Sequence, residues 1–383
     1  MRTIKNLKVE GKKVLLRVDF NVTLDNEGNI IDDIKVRSVL PTIKYLIKNK
    51  AQRIVLVSHM GRPIIRRGSS IENILIGNKG LMLQSIAVNL AKNLKIKYKK
   101  TGPKYLKDFI LPFYQLNNQI WLMENIRFDY REELNDSVFS RQLSSLGDIY
   151  IDDAFGNAHR RHASMVGVTK YIPSYGGLLM DKEVKILSRV AKNTTSSLVI
   201  VFGGAKVSEK IRVLKKLVHK AENILLGGVM ANTFLVSRKV DMKQSKYDKE
   251  SVNLASDIYT ASAGKFYLPI DLEWKNNMAV DIGKTTQDQY AKVIANAKAI
   301  FWNGTMGLTS QGNFKYALGT KSIIRAIADS KAKEKVICGG DTIAEVDKMG
   351  LSSKMTHIST GGGAAFKFLV GEKMPAIEAL KKS

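Results

Sequence analysis

The sequence SLVIVFGGAKVSEKI, residues 197–211, decides the fold. An apolar β-type run, Leu198–Phe202, ends at two glycines, and a helix-compatible run follows them directly. Parallel α/β proteins present backbone N–H groups to phosphate at such a strand–glycine–helix junction. Lys206 and Lys210 share one face of the helix start, where their charges oppose the helix dipole unless an anion binds. The stretch matches neither common phosphate-loop motif, so a phosphate site and an ordinary turn with solvated lysines both remain open.

The bulk composition is that of a folded α/β protein with more than one core. The chain has 383 residues, of which 44% are hydrophobic and 25% charged, so two domains are expected. No apolar run is long enough to span a membrane, and residues 1–13 interleave charges, so neither an anchor nor a secretory signal is expected. Cys338 is the only cysteine, which excludes an intrachain disulfide and fits a cytoplasmic protein.

The net charge of +26 favours anionic partners. Nucleic acid, an anionic membrane surface and phosphorylated metabolites all fit such a field. The lysines are spread along the chain rather than clustered, so most of the excess is interpreted as compositional drift. No aromatic-interleaved basic stripe and no nucleic-acid-binding motif accompanies the charge. The positions of individual arginines are therefore more informative about an anion-binding site than the net charge is.

Strand and helix patterns alternate from end to end, which predicts parallel sheets covered on both faces. Two such series, joined by a helix over 175–191, predict two doubly wound domains. The predicted strands are 13–19, 53–58, 120–123, 149–153, 198–202, 223–226, 265–269, 299–302, 335–338 and 357–359. The predicted helices include 36–48, 81–92 and 137–146, whereas 239–250 is predicted as a solvated helix–loop region.

Polar residues follow the predicted strands of the first half at their carboxyl ends, where parallel sheets bind ligands. Arginine dominates this set, and its planar fork suits phosphate and carboxylate. One arginine alone is usually a surface charge, but several at neighbouring strand ends indicate an anion site. The residues are Asp19, Asn21, His59, Arg62, Arg127, His159 and Arg160, with Arg37 opening a helix.

Glycines follow the strands of the second half. Such clusters can be mere turns, but five in one domain exceed what turns need. Asp341 is the acidic residue among them and a candidate Mg²⁺ contact. The glycine positions are Gly203, Gly204, Gly227, Gly228, Gly304, Gly339, Gly340, Gly361, Gly362 and Gly363.

In combination and order, these motifs resemble the phosphoglycerate kinase family over essentially the whole chain. The segments that carry the resemblance are RVDFNV, SHMGRP, ENIRF, SLGDIYIDDAFGNAHRRHAS, YGGLLMDKEV, GGAKVSEKI, GGVMANTFL, VDIGKTT, WNGTMG, GGDT and HISTGGGAAF. The resemblance implies two Rossmann-like doubly wound parallel-sheet domains separated by a cleft and joined by a helix. It also implies a cytoplasmic, monomeric glycolytic kinase that needs neither membrane nor specific nucleic acid.

The implied reaction is reversible, Mg²⁺-dependent phosphoryl transfer between 1,3-bisphosphoglycerate with ADP and 3-phosphoglycerate with ATP. The implied domains are 1–172 for phosphoglycerate, with a tail 366–383 returning to it, an interdomain helix 173–192, and 193–365 for the nucleotide. Because the acceptor carboxylate is already ionised, the chemistry needs positioning and charge neutralisation rather than a general base.

The resemblance assigns three sets of residues. The phosphoglycerate contacts are Asp19, Phe20, Asn21, Arg37, His59, Met60, Gly61, Arg62, Arg127 and Arg160. The nucleotide contacts are Gly203, Gly204, Ala205, Lys206, Lys210, Gly228, Gly304, Gly339, Gly340, Asp341 and Thr342, with Asp341 also on Mg²⁺. The groups facing the transferred phosphoryl group are Arg37, Lys206 and Gly361, Gly362 and Gly363.

The chain departs from the family pattern mainly on the nucleotide side. Val229 replaces a glycine of the turn after a strand, and Ser310 stands where the family has the glutamate that holds the ribose. These departures predict weaker nucleotide binding. They also keep open a degenerate, non-catalytic paralogue, beside the less supported alternative of a basic nucleic-acid-binding protein.

Overall fold

The structure is a computed structural model that describes residues 1–65, 68–98, 104–106, 109–192, 197–309 and 314–382. It divides into two compact units: Met1–Val184 with Lys373–Ser383, and Lys185–Glu372. The division falls within a helix, so it does not coincide with either end of the predicted interdomain helix. The predicted domain bounds stay a prediction.

The first unit is built on a six-stranded sheet within the described residues. Its order is β3-β4-β2-β1-β5-β6, and all neighbours are parallel except β3 and β4. Not counting β3, the parallel strands run in the order 3-2-1-4-5, so the connections reverse direction beside β1. The strands are β1 Lys13–Arg17, β2 Arg53–Val57, β3 Phe113–Gln115, β4 Ile120–Met123, β5 Ile149–Asp152 and β6 Ser174–Gly176.

The second unit has a parallel sheet ordered β14-β13-β12-β7-β8-β9 and a separate antiparallel pair, β10-β11, within the described residues. If β7, β8, β9, β12, β13 and β14 are renumbered 1 to 6, the strand order is 3-2-1-4-5-6, as in Rossmann sheets. The direction of the strand connections reverses between β7 and β12. The predicted α/β class with two doubly wound parallel sheets is confirmed. The strands are β7 Leu198–Phe202, β8 Asn223–Leu226, β9 Phe266–Tyr267, β10 Leu272–Lys275, β11 Met278–Ile282, β12 Ala299–Asn303, β13 Glu334–Cys338 and β14 His357–Ser359.

Helices cover the sheets, and short 3₁₀ turns join several elements. The helices are α1 Ile34–Lys48, α2 Ile71–Gly77, α3 Gln84–Leu94, α4 Ser137–Ser144, α5 Leu178–Lys192, α6 Val207–Leu217, α7 Gly228–Ser237, α8 Val252–Ser262, α9 Lys284–Ala295, α10 Leu318–Asp329, α11 Gly340–Lys348, α12 Gly363–Leu369 and α13 Pro375–Lys382. Among the described residues, no single helix is long and apolar enough to cross a membrane, and only the bent pair 71–77 with 79–94 meets that test by length and composition.

Successive residues of the central strands belong to two different cores. Val14 and Leu16 of β1 pack with α1 and α3 side chains, whereas Leu15 packs on the opposite face with Val55 and Val57 of β2. A strand buried on both faces needs apolar residues at every position, which explains the unbroken apolar runs in the sequence. Each such buried side chain contributes roughly 1.5–3 kcal/mol relative to exposure.

The structure differs from the predicted elements at sheet edges. The helix predicted over 175–191 begins later, because Ser174–Gly176 joins the sheet as β6. The antiparallel strand β3 and the hairpin β10–β11 were not predicted. Asn276 and Asn277 turn that hairpin with φ values of 48° and 58°, the left-handed geometry of a tight hairpin turn. The helix expected within 239–250 is absent from those described residues, which hold turns and the first residues of a 3₁₀ turn.

Candidate active site

The first group of predicted residues lies where β1 and β2 end side by side. Asp19 is nearly buried, and its carboxylate accepts hydrogen bonds from the Asn21 N–H at 3.0 Å and from Lys35 Nζ at 3.1 Å. Burial alone would raise the pKa of Asp19, but the positive charge of Lys35 and the hydrogen bond from Asn21 help hold it at about 2. Asp19 is therefore ionised at any physiological pH.

The loop after β2 carries His59 and Gly61 against the first group. The Gly61 N–H donates to Asn21 Oδ1 at 2.8 Å, and its carbonyl accepts from Arg127 Nη1 at 2.6 Å. A Cβ on Gly61 would meet Leu81 Cδ2 at 2.5 Å, and its φ of +58° is left-handed, so the position favours glycine. Burial lowers the pKa of His59 well below its ordinary value, so this imidazole is neutral.

Three of the predicted arginines line one cavity of about 470 Å³: Arg62, Arg127 and Arg160. Arg127 is buried, and its Nε forms an ion pair with Glu133 Oε1 at 3.1 Å. The angle between these groups does not meet the criterion for a hydrogen bond. Burial lowers the pKa of Arg127; the Glu133 carboxylate opposes that shift, and Arg160 reinforces it. Three guanidinium groups against one half-exposed carboxylate leave this cavity net positive.

The seven other predicted phosphoglycerate contacts do not line the cavity; they are Asp19, Phe20, Asn21, Arg37, His59, Met60 and Gly61. Arg37, in the first turn of α1, is about half exposed, and its Nε donates to Asp33 Oδ1 at 2.6 Å. The side chains of Phe20 and Met60 are buried in the core, at 0% and 2% exposure. Their backbone N–H groups donate to Ser58 Oγ and Asn125 Oδ1.

The glycines of the second unit meet at the reversal between β7 and β12. The N–H groups of Gly203 and Gly204 donate to the carbonyls of Asn303 and Thr305 at 3.0 and 2.8 Å. A Cβ on Gly304 would lie 2.2 Å from the Gly203 carbonyl oxygen, and its φ is +91°. Only glycine allows the two turns to approach this closely, which is a packing reason for Gly304 in addition to any ligand.

The two lysines of the glycine turn have different surroundings. Helix α6 begins at Val207 rather than directly after the two glycines, so Lys206 precedes the helix and is exposed. Lys210 folds back, and its Nζ donates to the Gly203 carbonyl at 2.8 Å. Burial lowers the pKa of Lys210, while the nearby Asp341 carboxylate opposes the shift.

A cavity of about 290 Å³ opens beside these turns. Its lining includes Gly204, Ala205, Gly228 and Asp341 of the predicted nucleotide set, together with Val229. A Cβ on Gly228 would lie 2.9 Å from the Gly204 N–H nitrogen, so the two glycine turns touch here as well. These four predicted residues lie together, at the strand ends where a doubly wound sheet binds ligands.

Several predicted nucleotide residues support the turns rather than line this cavity. Thr342 is fully buried, and its Oγ1 accepts the Gly304 N–H at 2.9 Å. Gly339 has a φ of +95°, and a Cβ there would meet Asn303 Nδ2 at 2.9 Å. Gly340 is the first residue of α11, which places Asp341 in the first turn of that helix.

Of the three consecutive glycines, Gly361 and Gly362 precede α12 and Gly363 is its first residue. The Gly361 N–H donates to Ser359 Oγ at 3.2 Å, and Gly362 has a φ of +46°. A Cβ on Gly362 or Gly363 would meet nothing within 4 Å, so neither glycine is required by close packing. These glycines do not line the 290 Å³ cavity. Ser310, the predicted ribose position, lies outside the described residues.

The donor set near the glycine turns suits a metal that arrives with phosphates. Asp341 is exposed at the cavity, and among the described residues no group of three or more histidine, cysteine or acidic side chains could hold a metal ion. Mg²⁺ commonly binds through one or two carboxylates, water and substrate phosphates rather than in an all-protein cage. The residues present therefore fit a nucleotide-borne Mg²⁺ held at Asp341.

Sequence reasoning missed residues that contact the predicted phosphoglycerate-binding side chains and turns. Lys35 neutralises Asp19, and Glu133 pairs with Arg127. Asn125 accepts the backbone N–H groups of both Met60 and Arg127. Asn125 lies within the ENIRF motif, so its place two residues before a predicted ligand was the available signal. Glu133 and Lys35 carried no such signal, because charged residues are common on solvated surfaces.

Known proteins resemble this chain along nearly its whole length. Residues 4–372 match the family model described as phosphoglycerate kinase. The phosphoglycerate kinase of Roseiflexus sp. (strain RS-1) is 37% identical over 403 residues, covering 99% of this chain and 98% of the relative. That of Koribacter versatilis (strain Ellin345) is 36% identical over 402 residues, with the same coverage.

Solved structures agree with the sequence relatives. The phosphoglycerate kinase structure from Coxiella burnetii has a TM-score of 0.79 and 32% identity, covering 99% of this chain and 98% of that one. The one from Pyrococcus horikoshii OT3 has a TM-score of 0.83 and 29% identity, covering 100% and 98%. With the strand-end arginines of one unit and the strand-end glycines of the other, these matches show that the chain belongs to the phosphoglycerate kinase family.

Proposed function

We propose that the chain catalyses reversible, Mg²⁺-dependent phosphoryl transfer between 1,3-bisphosphoglycerate with ADP and 3-phosphoglycerate with ATP. Family membership makes it a glycolytic phosphotransferase with a carboxyl group as acceptor. The metal, the nucleotide and the role of each residue are the parts that the proposal adds. A monomeric state, a cytoplasmic location and independence from membranes and nucleic acid stay predictions.

The observation that carries the proposal is the cavity shared by Arg62, Arg127 and Arg160. A small molecule bearing both a phosphate and a carboxylate matches three guanidinium groups in a confined space. The ionised Asp19 would accept a hydrogen bond from a substrate hydroxyl group. His59 is neutral, so it would position the substrate without adding charge.

The acceptor carboxylate of 3-phosphoglycerate is ionised at neutral pH, so the transfer requires no general base. The chain must instead hold the reacting groups in line and neutralise the oxygens of the phosphoryl group. We assign the neutralisation to Arg37 and Lys206, and the backbone contacts to Gly361, Gly362 and Gly363. Mg²⁺ held at Asp341 would supply further positive charge to the nucleotide phosphates.

A coupled assay in both directions tests the proposal. The purified chain with ATP, 3-phosphoglycerate and Mg²⁺ should form 1,3-bisphosphoglycerate and ADP, and the reverse reaction should proceed with the products. Chelation of Mg²⁺ should abolish both directions. A folded sample without turnover in either direction would instead support a degenerate paralogue.

A further inference from the structure

The buried side chain of Asn125 joins the loops that carry His59, Arg62 and Arg127, in addition to the Gly61–Arg127 hydrogen bond. Strands β2 and β4 are parallel neighbours, so the turns that follow them lie side by side. Asn125 stands in the turn after β4 and is 0% exposed. It does not line the arginine cavity, so its contacts are with the chain itself.

All the hydrogen-bonding capacity of the Asn125 amide is used. Its Nδ2 donates to the carbonyls of Met60 at 2.7 Å and Leu81 at 3.0 Å. Its Oδ1 accepts the N–H groups of Met60 at 3.2 Å and Arg127 at 3.1 Å. Two donors and two acceptor sites are what an asparagine amide offers, so the arrangement is saturated and fixes the amide orientation.

The backbone of Asn125 is itself held by the neighbouring Glu124 carboxylate. Its N–H donates at 2.7 Å to Oε1 of Glu124, which also accepts the Leu83 N–H at 2.8 Å. Tyr114 donates its hydroxyl to Glu124 Oε2 at 2.5 Å. The carboxylate and asparagine together form a rigid support beneath the turn.

The four hydrogen bonds of the Asn125 amide, here called the Asn125 clamp, hold peptide groups next to the cavity-lining residues. Met60 lies between His59 and Gly61, and the Gly61 carbonyl accepts from Arg127 Nη1 at 2.6 Å. The Asn125 amide binds both polar groups of Met60 and the N–H of Arg127. The separation between the loop at 59–62 and the Arg127 guanidinium therefore depends on the Asn125 amide, together with the direct Gly61–Arg127 hydrogen bond and the Ile126 N–H bond to the Ser58 carbonyl.

We propose that Asn125 is a positioning residue for phosphoglycerate: it sets the spacing between the 59–62 loop and Arg127 without touching the substrate. The inference rests on the proposed function, in which that cavity binds 3-phosphoglycerate. Displacement of a binding group by a fraction of an ångström weakens a charged, bidentate contact strongly. The predicted nucleotide-binding residues belong to the other compact unit. Binding of ADP to the same variant therefore serves as an internal control for binding of 3-phosphoglycerate.

The test is binding and kinetics of Asn125→Ala in the full-length chain. We expect the dissociation constant for 3-phosphoglycerate to rise about tenfold or more. The dissociation constant for ADP should stay within about twofold of the parent, a change of under about 0.5 kcal/mol. In the coupled assay, KM for 3-phosphoglycerate should rise more than kcat falls, because the groups assigned to transfer are unaltered.

The matched control is Asn117→Ala. Asn117 Oδ1 accepts the N–H groups of Gln119 at 2.9 Å and Ile120 at 2.7 Å, at the opposite end of β4. Both variants should lower the unfolding temperature, but only Asn125→Ala should weaken 3-phosphoglycerate. If the alanine variant does not fold, Asn125→Ser, which keeps an oxygen acceptor, replaces it with the same expectation.

Three results would overturn the inference. They are unchanged 3-phosphoglycerate binding in Asn125→Ala, equal weakening of both ligands, or equal weakening of 3-phosphoglycerate in the Asn117→Ala control. Failure of the unaltered chain to bind 3-phosphoglycerate would contradict the proposed function itself. Binding of 3-phosphoglycerate to the unaltered chain therefore distinguishes a failure of the proposed function from a failure of the inference about Asn125.

Discussion

At the scale of single residues, the arginines of the first unit are held in two ways. Arg127 is 6% exposed, and its Nη1 is fixed by the Gly61 carbonyl. The Arg37 side chain is 49% exposed and pairs with Asp33 one helical turn away. A partly exposed pair of this kind contributes only about 0.3–0.5 kcal/mol to stability. We therefore expect the loss of the Asp33 pair to change folding stability little, so that a change in the kinetics of an Arg37 variant reports on the reaction.

Arg37→Ala should lower kcat by about 10²–10³-fold, the usual effect of removing one group that stabilises transition-state charge. KM for 3-phosphoglycerate should change by less than about threefold, because a charge used only in the transition state leaves ground-state binding intact. Steady-state kinetics measure both. Lys44→Ala, an exposed cation farther along α1, is the control and should leave both constants unchanged. An effect confined to KM would show that Arg37 binds only the ground state.

At the scale of elements, the second unit depends on how closely two strand–helix turns approach. Gly304→Ala should lower the unfolding temperature and weaken ADP, because its Cβ would lie 2.2 Å from the Gly203 carbonyl oxygen at a φ of +91°. A non-glycine residue at such a φ costs about 1–3 kcal/mol before the clash is counted. Calorimetry of unfolding and of ADP binding provides the measurements.

Gly264→Ala is the control for that substitution. Gly264 has no left-handed φ, and its Cβ would meet nothing within 4 Å. The unfolding temperature and the ADP affinity of the Gly264→Ala variant should equal those of the parent protein. Equal effects of the two substitutions would contradict the packing argument for Gly304.

A second element-scale contact joins β5, α1 and the start of α5 through Asp153. Its carboxylate accepts from Thr42 Oγ1 at 2.5 Å and from the Met180 N–H at 2.9 Å. Burial raises the pKa of Asp153 from 3.8 to about 7, although the Thr42 hydroxyl and the Met180 N–H oppose the shift. The unfolded carboxyl group thus loses its proton first, and folding stability falls as pH rises from about 4 to about 7.

Asp153→Asn removes this titration while keeping an oxygen acceptor for the Met180 N–H. The decline in unfolding temperature between about pH 4.5 and 7.5 should become shallower by about 2–4 °C. Thr42→Val provides the contrast, because it removes a hydroxyl that favours the ionised form and so should keep or steepen the decline. Parallel pH profiles for Asp153→Asn and the parent would refute the assignment.

At the scale of the whole molecule, the net charge of +26 acts on anionic substrates from a distance. Raising KCl from about 50 to 200 mM shortens the screening length from about 14 to 7 Å. KM for both phosphoglycerate and nucleotide should therefore rise about two- to fivefold, with kcat nearly constant. Sucrose at equal osmolality is the control and should leave KM unchanged. A KM insensitive to salt would mean that the excess charge plays no part in substrate capture.

The sequence by itself determined the alternation of strands and helices and the two parallel sheets, and it predicted most of the candidate residues. These features depend on local apolar periodicity and on short motifs at strand ends. The bounds of β4, β7, β8 and β14 were predicted to the residue. For β4 and β7 the reason is an apolar run that ends at a polar or glycine residue on each side. The edge strands β3 and β6 were missed, since a short edge strand forms only when a neighbouring strand offers its hydrogen bonds.

Only the tertiary structure decided strand order and the partners of buried polar groups. The reversal between β7 and β12 brings Gly203 against Gly304, about 100 residues apart, and no local pattern encodes that approach. The clamp by Asn125 is of the same kind, because an asparagine in a motif carries no sign of which distant carbonyls it will bind. Long-range hydrogen bonds and close backbone approach depend on the assembled sheet, and so they become visible only in the folded chain.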